Sequence, residues 1–281
     1  MMLLNLVNLL LILSGNMSEE QTYKEIARNF INDTIHYEVK DITIEKTPLR
    51  SNFLLYDEPV ITLKADNAYL LSIGEKSKIV LSCIGLSIEG IEGEKIDTVN
   101  DAFKQLYEVF KYYNLPLQIE ECSVKESIDK YIFQKELLYN NIICRNSGIR
   151  VEILKKNGTT MSILYKPCIE PLNKFPPKIN EKELEEVLNN WLKEQTYFQK
   201  YPAKILGEEK LRIVIAPKLN QYDPNSYKNV LIQRSAIERY YAYEMSIVWE
   251  EKGKKWFGWV WIDGNSKKVI GGFPNYSQEK E

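Results

Sequence analysis

The chain holds one histidine, His36, and that single residue bounds its chemistry. A two-histidine zinc site, the H-E-x-x-H helix and a paired-histidine relay all need a second imidazole. A cysteine nucleophile ordinarily draws on a histidine base, and only His36 is on offer. His36 heads an apparent strand, Ile35–Val39, where a structural or exposed role is expected. The cysteines are Cys83, Cys122, Cys144 and Cys168, with no C-x-x-C pair, so neither a zinc ribbon nor a thioredoxin-type motif is present. Three full pairings are open to them, as is a state of four buried thiols. For an exported chain the first choice is Cys122–Cys144, because both fall in one repeat. The acidic pairs Glu120-Glu121 and Glu250-Glu251 make poor hydrolase dyads, since neighbours in a strand point apart. A glycosidase needs its carboxylates about 5–9.5 Å apart across a cleft. No catalytic residue, metal site or cofactor is therefore assigned, although an uncharacterised hydrolase stays open as a third reading. With 37 basic and 39 acidic residues, the chain lacks the basic surplus of a nucleic-acid binder.

Aromatic side chains are the other candidates. Trp256, Phe257, Trp259 and Trp261 crowd six positions, and Tyr240, Tyr241 and Tyr243 precede them. In a strand, Trp259 and Trp261 share one face while Val260 and Ile262 share the other. Such a strand is either covered on both sides or offers an aromatic strip to a peptide, partner protein or glycan. The binding candidates are thus Trp256, Trp259, Trp261, Tyr241 and Tyr243. The competing reading buries one face against a helix, through Trp191, and the other against a neighbouring module.

The elements that must position these residues are readable from period and turn chemistry. Three segments carry a helical stripe: Tyr23, Ile26, Ala27, Phe30 and Ile31; Val99, Ala102, Phe103, Leu106 and Phe110; Leu184, Val187, Leu188, Trp191 and Leu192. Each follows a capping residue, Ser18, Thr98 or Asn180, and the caps lie 80 and 82 residues apart. Five buried apolar side chains contribute roughly 8–15 kcal/mol gross. Ordering some fifteen residues costs about as much or more, so each helix needs a sheet to lie on. Strand–turn–strand patterns follow at 69–81, 149–163 and 258–270, the last two with Asn157-Gly158 and Asp263-Gly264 in their turns. Further strands are expected at Tyr131–Gln134, Leu211–Ile215 and Tyr240–Trp249, with a polar loop at Tyr222–Asn225.

Residues 3–13 form an apolar run too short to span a bilayer but of signal-peptide length. Ser14 and Gly15 follow, no Lys or Arg precedes, and Asn16 stands where a lipidated cysteine would be. Export with removal of residues 1–16 is expected; the alternative is a cytoplasmic protein starting at Met17.

The reading is an α+β chain of tandem small modules, each one helix packed on a 3–4-stranded antiparallel sheet. Residues 1–16 are the leader, 17–93 and 94–168 two modules, and 169–178 a Pro-rich linker. Residues 179–274 make a third module with an insertion, and 275–281 a tail. The third module resembles the PepSY-like domain of peptidase propeptides. The resemblance rests on Tyr243–Trp249, then Trp261-Ile262-Asp263-Gly264-Asn265-Ser266-Lys267-Lys268-Val269-Ile270-Gly271. The family's turn reads Asp, two residues, Thr-Gly; this chain keeps Asp263 but has Ser266-Lys267 in the last two places. The second module has Gly158 at its turn and Leu154 in the Asp position. The resemblance implies a non-enzymatic exported protein that binds a protein or peptide, a peptidase among them, with inhibitory or regulatory effect. An envelope adaptor binding glycan or a partner protein through the aromatic strip is the alternative. Asp263 is expected to cap its own hairpin turn. No nucleic acid and no membrane span after leader removal are expected.

Overall fold

A computed structural model of the chain describes residues 18–45, 58–88, 91, 93–168, 170–216 and 238–275. The expected leader at 1–16, the expected polar loop at 222–225 and the expected tail from 276 lie outside the described residues. The three capping residues start the three long helices: α1 (Glu19–Phe30), α2 (Val99–Tyr112) and α3 (Glu181–Glu194). Ser18 and Gln21 bond each other's backbone reciprocally, while Thr98 and Asn180 accept from the N–H groups of Asp101 and Glu183. Each cap satisfies a first-turn donor that the helix itself cannot. A π-helical turn, Ile31–Ile35, extends α1 and ends at His36, which sits in the left-handed region at φ 59°. The strand expected at Ile35–Val39 is therefore absent, because the π turn and the positive φ of His36 break an extended run there. The imidazole is exposed.

Twelve described strands accompany these helices: β1 (Ile42–Ile44), β2 (Val60–Ala65), β3 (Tyr69–Gly74), β4 (Val80–Gly85), β5 (Ser123–Glu126) and β6 (Lys130–Tyr139) come first. They are followed by β7 (Ile142–Leu154), β8 (Thr160–Lys166), β9 (Ala203–Ala216), β10 (Glu238–Glu251), β11 (Lys254–Asp263) and β12 (Lys268–Asn275). A short helix, α4 (Thr196–Lys200), precedes β9. Two compact units result: residues to Lys135 with Gly148–Lys166, and Glu136–Ser147 with residues from Pro167.

In the first unit the strand order is β1-β2-β3-β4-β8-β7, with β5 and β6 off that path. Strand β4 pairs with β8 through Ser82↔Leu164, Cys83↔Ile163 and Ile84↔Ser162. Phe30 of α1 meets Tyr112 of α2 ring edge to face at 4.7 Å, and Tyr113 stacks on Tyr165 of β8 at 4.1 Å. This overturns the expectation of tandem modules with one helix on each small sheet. The expected hairpins exist, but the first two share one sheet and two helices. The physical reason is the sheet edge. Two short sheets would each leave a row of unpaired backbone groups beside β4 and β8, and pairing them removes both rows.

In the second unit β9, β10, β11 and β12 form an antiparallel run. The first half of β7 lies beside β9 in parallel, through the pair Cys144↔Ile213. The strand architecture is thus mixed. Leu184, Leu188 and Leu192 of α3 bury against Met245, Ile247, Val260 and Ile262. The segment expected as an extra strand, Leu211–Ile215, is the end of β9.

Candidate functional site

Three connecting segments of the first unit enclose an open groove of about 940 Å³. They contribute Gly85, Leu86 and Ile88 with Lys95, Ile96 and Asp97 from the connection before α2, Ile128 and Asp129 from the β5–β6 turn, and Leu154 to Asn157 from the β7–β8 turn. Backbone bonds lock the walls together. The Ile96 N–H donates to the Lys155 carbonyl and the Lys155 N–H to the Asp129 carbonyl, each at 2.8 Å. The Asn157 Nδ2 donates to the Ile91 carbonyl at 2.8 Å, and the Tyr131 hydroxyl to the Asp97 carbonyl at 3.2 Å. Gly158, at φ 67°, closes the β7–β8 turn; a Cβ there would stand 3.1 Å from the Glu94 carbonyl oxygen. A glycine is needed because this φ strains any side chain and the opposite wall is close.

The groove offers apolar surface that folding leaves uncovered. Ile128 is 99% exposed and Leu86 50%, with Met161 partly exposed and Ile88 and Ile96 buried behind them. Charge stands on the rim. Lys95 pairs with Asp97 at 2.5 Å, both side chains over two-thirds exposed. Lys155 bonds Glu126 at 2.6 Å and lies 4.7 Å from the Tyr131 ring centre. Lys156 is exposed in the turn. A volume within the usual range of roughly 300–1,000 Å³, apolar lining and a few placed charges are the marks of a binding site. Elsewhere in the first unit, Lys130 and Arg150 hydrogen-bond Glu152 at 2.7 and 2.6 Å. Burial alone would raise the Glu152 pKa, but these two cations hold it below the usual carboxylate range.

The second unit contains a different constellation, centred on Glu244. Its side chain is buried in β10 and accepts a two-pronged bond from Arg145, Nε to Oε2 at 2.8 Å and Nη2 to Oε1. The Trp261 indole N–H donates to Oε2 at 3.2 Å, and Arg212 Nε lies 3.8 Å from Oε1. The Arg145 guanidinium stands over the Trp259 ring at 5.0 Å. Its hydrogen bonds to Glu244, despite partial burial, hold the guanidinium above its ordinary pKa. Such a carboxylate is buried and engaged by three hydrogen bonds, the pattern of a structural ion pair.

The aromatic candidates do not assemble into an exposed strip. Tyr241, Tyr243 and Trp261 are buried, while Trp256 and Trp259 are partly buried. They also serve opposite faces. Tyr243 joins the α3 core, its hydroxyl donating to the Pro177 carbonyl at 2.9 Å. Tyr241 packs with Cys144 and Ile213, and Trp261 packs with Val214, Tyr240, Ala242 and Ile270. Both faces of the strand pair β10–β11 carry apolar partners, which is why the strip is consumed by the core. Asp263 is buried and caps its turn, accepting from the N–H of Asn265 and the hydroxyl of Ser266, with Asn173 Nδ2 at 3.0 Å. The partner of Cys144 is Cys168, not Cys122, with Cα atoms 6.1 Å apart. Cys122 is a partly buried free thiol, its pKa raised by burial. The bond joins the two chain segments of the second unit, Glu136–Ser147 and the residues from Pro167.

Sequence reasoning missed both the groove and the Glu244 centre. The groove is built from segments with no period. Glu244 left a signal: a lone carboxylate inside Tyr-Tyr-Ala-Tyr-Glu-Met-Ser-Ile-Val-Trp must find a cation if the strand is buried.

Among the described residues, no helix is long and apolar enough to cross a membrane. No family model and no curated protein matches the chain. Among solved structures it is similar to the Bacillus megaterium YpeB C-terminal domain, at 14% identity and a TM-score of 0.41, over 93% of this chain and 99% of that one.

Proposed function

We propose that the chain is a non-enzymatic binding protein of an oxidising compartment, whose first unit holds an extended peptide segment in the groove. The observation that carries this reading is the groove itself: hydrogen-bonded walls, exposed Ile128 and Leu86, and lysines on the rim. The Cys144–Cys168 bond supports an exported chain, since disulfides persist in oxidising compartments. Lys95 and Lys155 are paired with Asp97 and Glu126, and exposed Lys156 stands beside them as the cation that a peptide carrying a carboxylate beside an apolar side chain would meet. Inhibition of a peptidase is one form such binding takes.

The test is fluorescence anisotropy with labelled peptides that alternate leucine with aspartate, against the same peptides with lysine in place of aspartate. The acidic series is expected to bind in the micromolar range and the basic series at least tenfold more weakly. Ile128→Asp places a carboxylate on the apolar rim and is expected to weaken acidic-peptide binding at least tenfold. Equal binding of both series, or no change in the variant, removes the groove as the site.

A further inference from the structure

We infer that the β6–β7 hairpin tip, Glu136–Ser147, is a redox-controlled latch, locked onto strand β9 by the Cys144–Cys168 bond and released when a dithiol reduces it. The inference stands apart from the groove reading and rests on the second unit alone.

Adjacent strand residues point to opposite faces. Cys144 and Arg145 are adjacent in β7, so the tip is fastened on both sides of the sheet at once. On one face Cys144 is fully buried with Ile213 and Tyr241, flanked by Tyr139 and Ile142, and bonded to Cys168. On the other face Arg145 forks Glu244 and covers the Trp259 ring. Backbone contributes little to this attachment. Between β7 and β9 the described ladder is the single parallel pair Cys144↔Ile213. Between β9 and β10 it runs from Ala216↔Glu238 to Ala203↔Trp249. Strand β7 keeps its pairing with β6 and, further on, with β8, so what fastens the tip to β9 is the covalent bond on one face and the Arg145–Glu244 fork on the other.

The segment carrying Cys168 is independently secured. Arg239 Nη2 donates to the Pro167 carbonyl at 3.3 Å, the Leu172 N–H to the Arg239 carbonyl at 2.9 Å, and Asn173 exchanges two bonds with the Tyr241 backbone. Cutting the disulfide thus leaves residues 170–175 anchored on β10 and frees the hairpin tip.

Access sets the direction of attack. Cys144 is buried, and Cys168 is partly exposed. A thiolate of the dithiol attacks Sγ of Cys168; the S–S bond breaks and its electron pair leaves on Cys144, which takes up a proton. The dithiol's second thiolate then displaces Cys168 from the mixed disulfide, and the Cys168 thiolate is protonated. Two electrons pass to the protein, and the dithiol becomes its own disulfide. Release uncovers the β9 edge at Ile213 and the faces of Tyr241 and Trp259.

Hydrogen–deuterium exchange on the full chain tests this, with and without dithiothreitol, alongside the Cys168→Ser variant. Amides of 142–147 are expected to exchange at least tenfold faster on reduction and in the variant. Amides of 245–250 and 256–262 are expected to stay unchanged, and oxidised glutathione should restore protection to the reduced wild type. Retained protection at 142–147 would make the bond a passive bystander and overturn the inference. Simultaneous loss across β10 and β11 would make it a staple of the whole unit, which also overturns it. Glutathione, as a single-thiol probe, should be trapped on Cys168; trapping on Cys144 contradicts the stated order of attack.

Discussion

The groove and the Glu244 centre both bring cations to carboxylates, yet burial gives them opposite properties. In the groove, Lys95 and Asp97 stand in solvent, where an ion pair is worth little and exchanges readily with an incoming charge. At the centre, Glu244 is 3% exposed and bonded by Arg145 and Trp261. Its charge is tolerable only because those donors replace water. One arrangement leaves its charges open to a partner, while the other engages them in holding strands together. Counting ion pairs would have ranked the two alike.

The largest expected effect separates them directly. Arg145→Met should cost about 3–5 kcal/mol, as for a buried ion pair that loses one member, read from urea unfolding of the full chain. Arg212, 3.8 Å away, is the nearest remaining cation. A loss under 1 kcal/mol would mean that Arg212 or water compensates, and the contrast with the groove would fade.

Acid should act on the first unit through Glu152. Its pKa is depressed in the folded state by Lys130 and Arg150, against the effect of burial. A depressed carboxylate adds stability above its unfolded pKa, near about 4.3, and that stability is lost as pH falls through the lower folded pKa. Glu152→Gln should flatten the acid limb of the stability profile below about pH 4. An unchanged limb would place the acid sensitivity elsewhere.

The groove's surface residues should matter least to folding. Ile128→Asp is expected to shift stability by less than about 0.5 kcal/mol, because a fully exposed side chain makes no core contact; its effect belongs to binding. Lys95→Ala should be smaller still, near the limit of a thermal melt. A large loss from either would show the rim to be structural and would break the comparison.

How much was legible in the sequence depended on how local the cause was. The caps at Ser18, Thr98 and Asn180 were readable because a cap needs only the next three residues. The turn at Asp263 was readable for the same reason, its carboxylate reaching Asn265 and Ser266. The alternation Trp259/Trp261 against Val260/Ile262 follows from strand geometry, and the structure separates those residues accordingly. What alternation cannot say is what covers each face. The sequence therefore left an exposed strip and a strand covered on both faces as competing readings, and the structure largely encloses these residues. The pairing of Cys144 with Cys168 was equally hidden, because it depends on where β7 meets the segment after β8.

By itself, then, the sequence determined the helix starts, the hairpins and the two-faced strands, along with the scarcity of imidazole chemistry. Each follows from covalent geometry and neighbours a few residues away. Tertiary structure alone decided that β4 pairs with β8, that Arg145 reaches Glu244 across 99 residues, and that three non-periodic segments enclose the groove. Those outcomes come from covering sheet edges and neutralising buried charge, and both are settled by contacts between residues far apart in the chain.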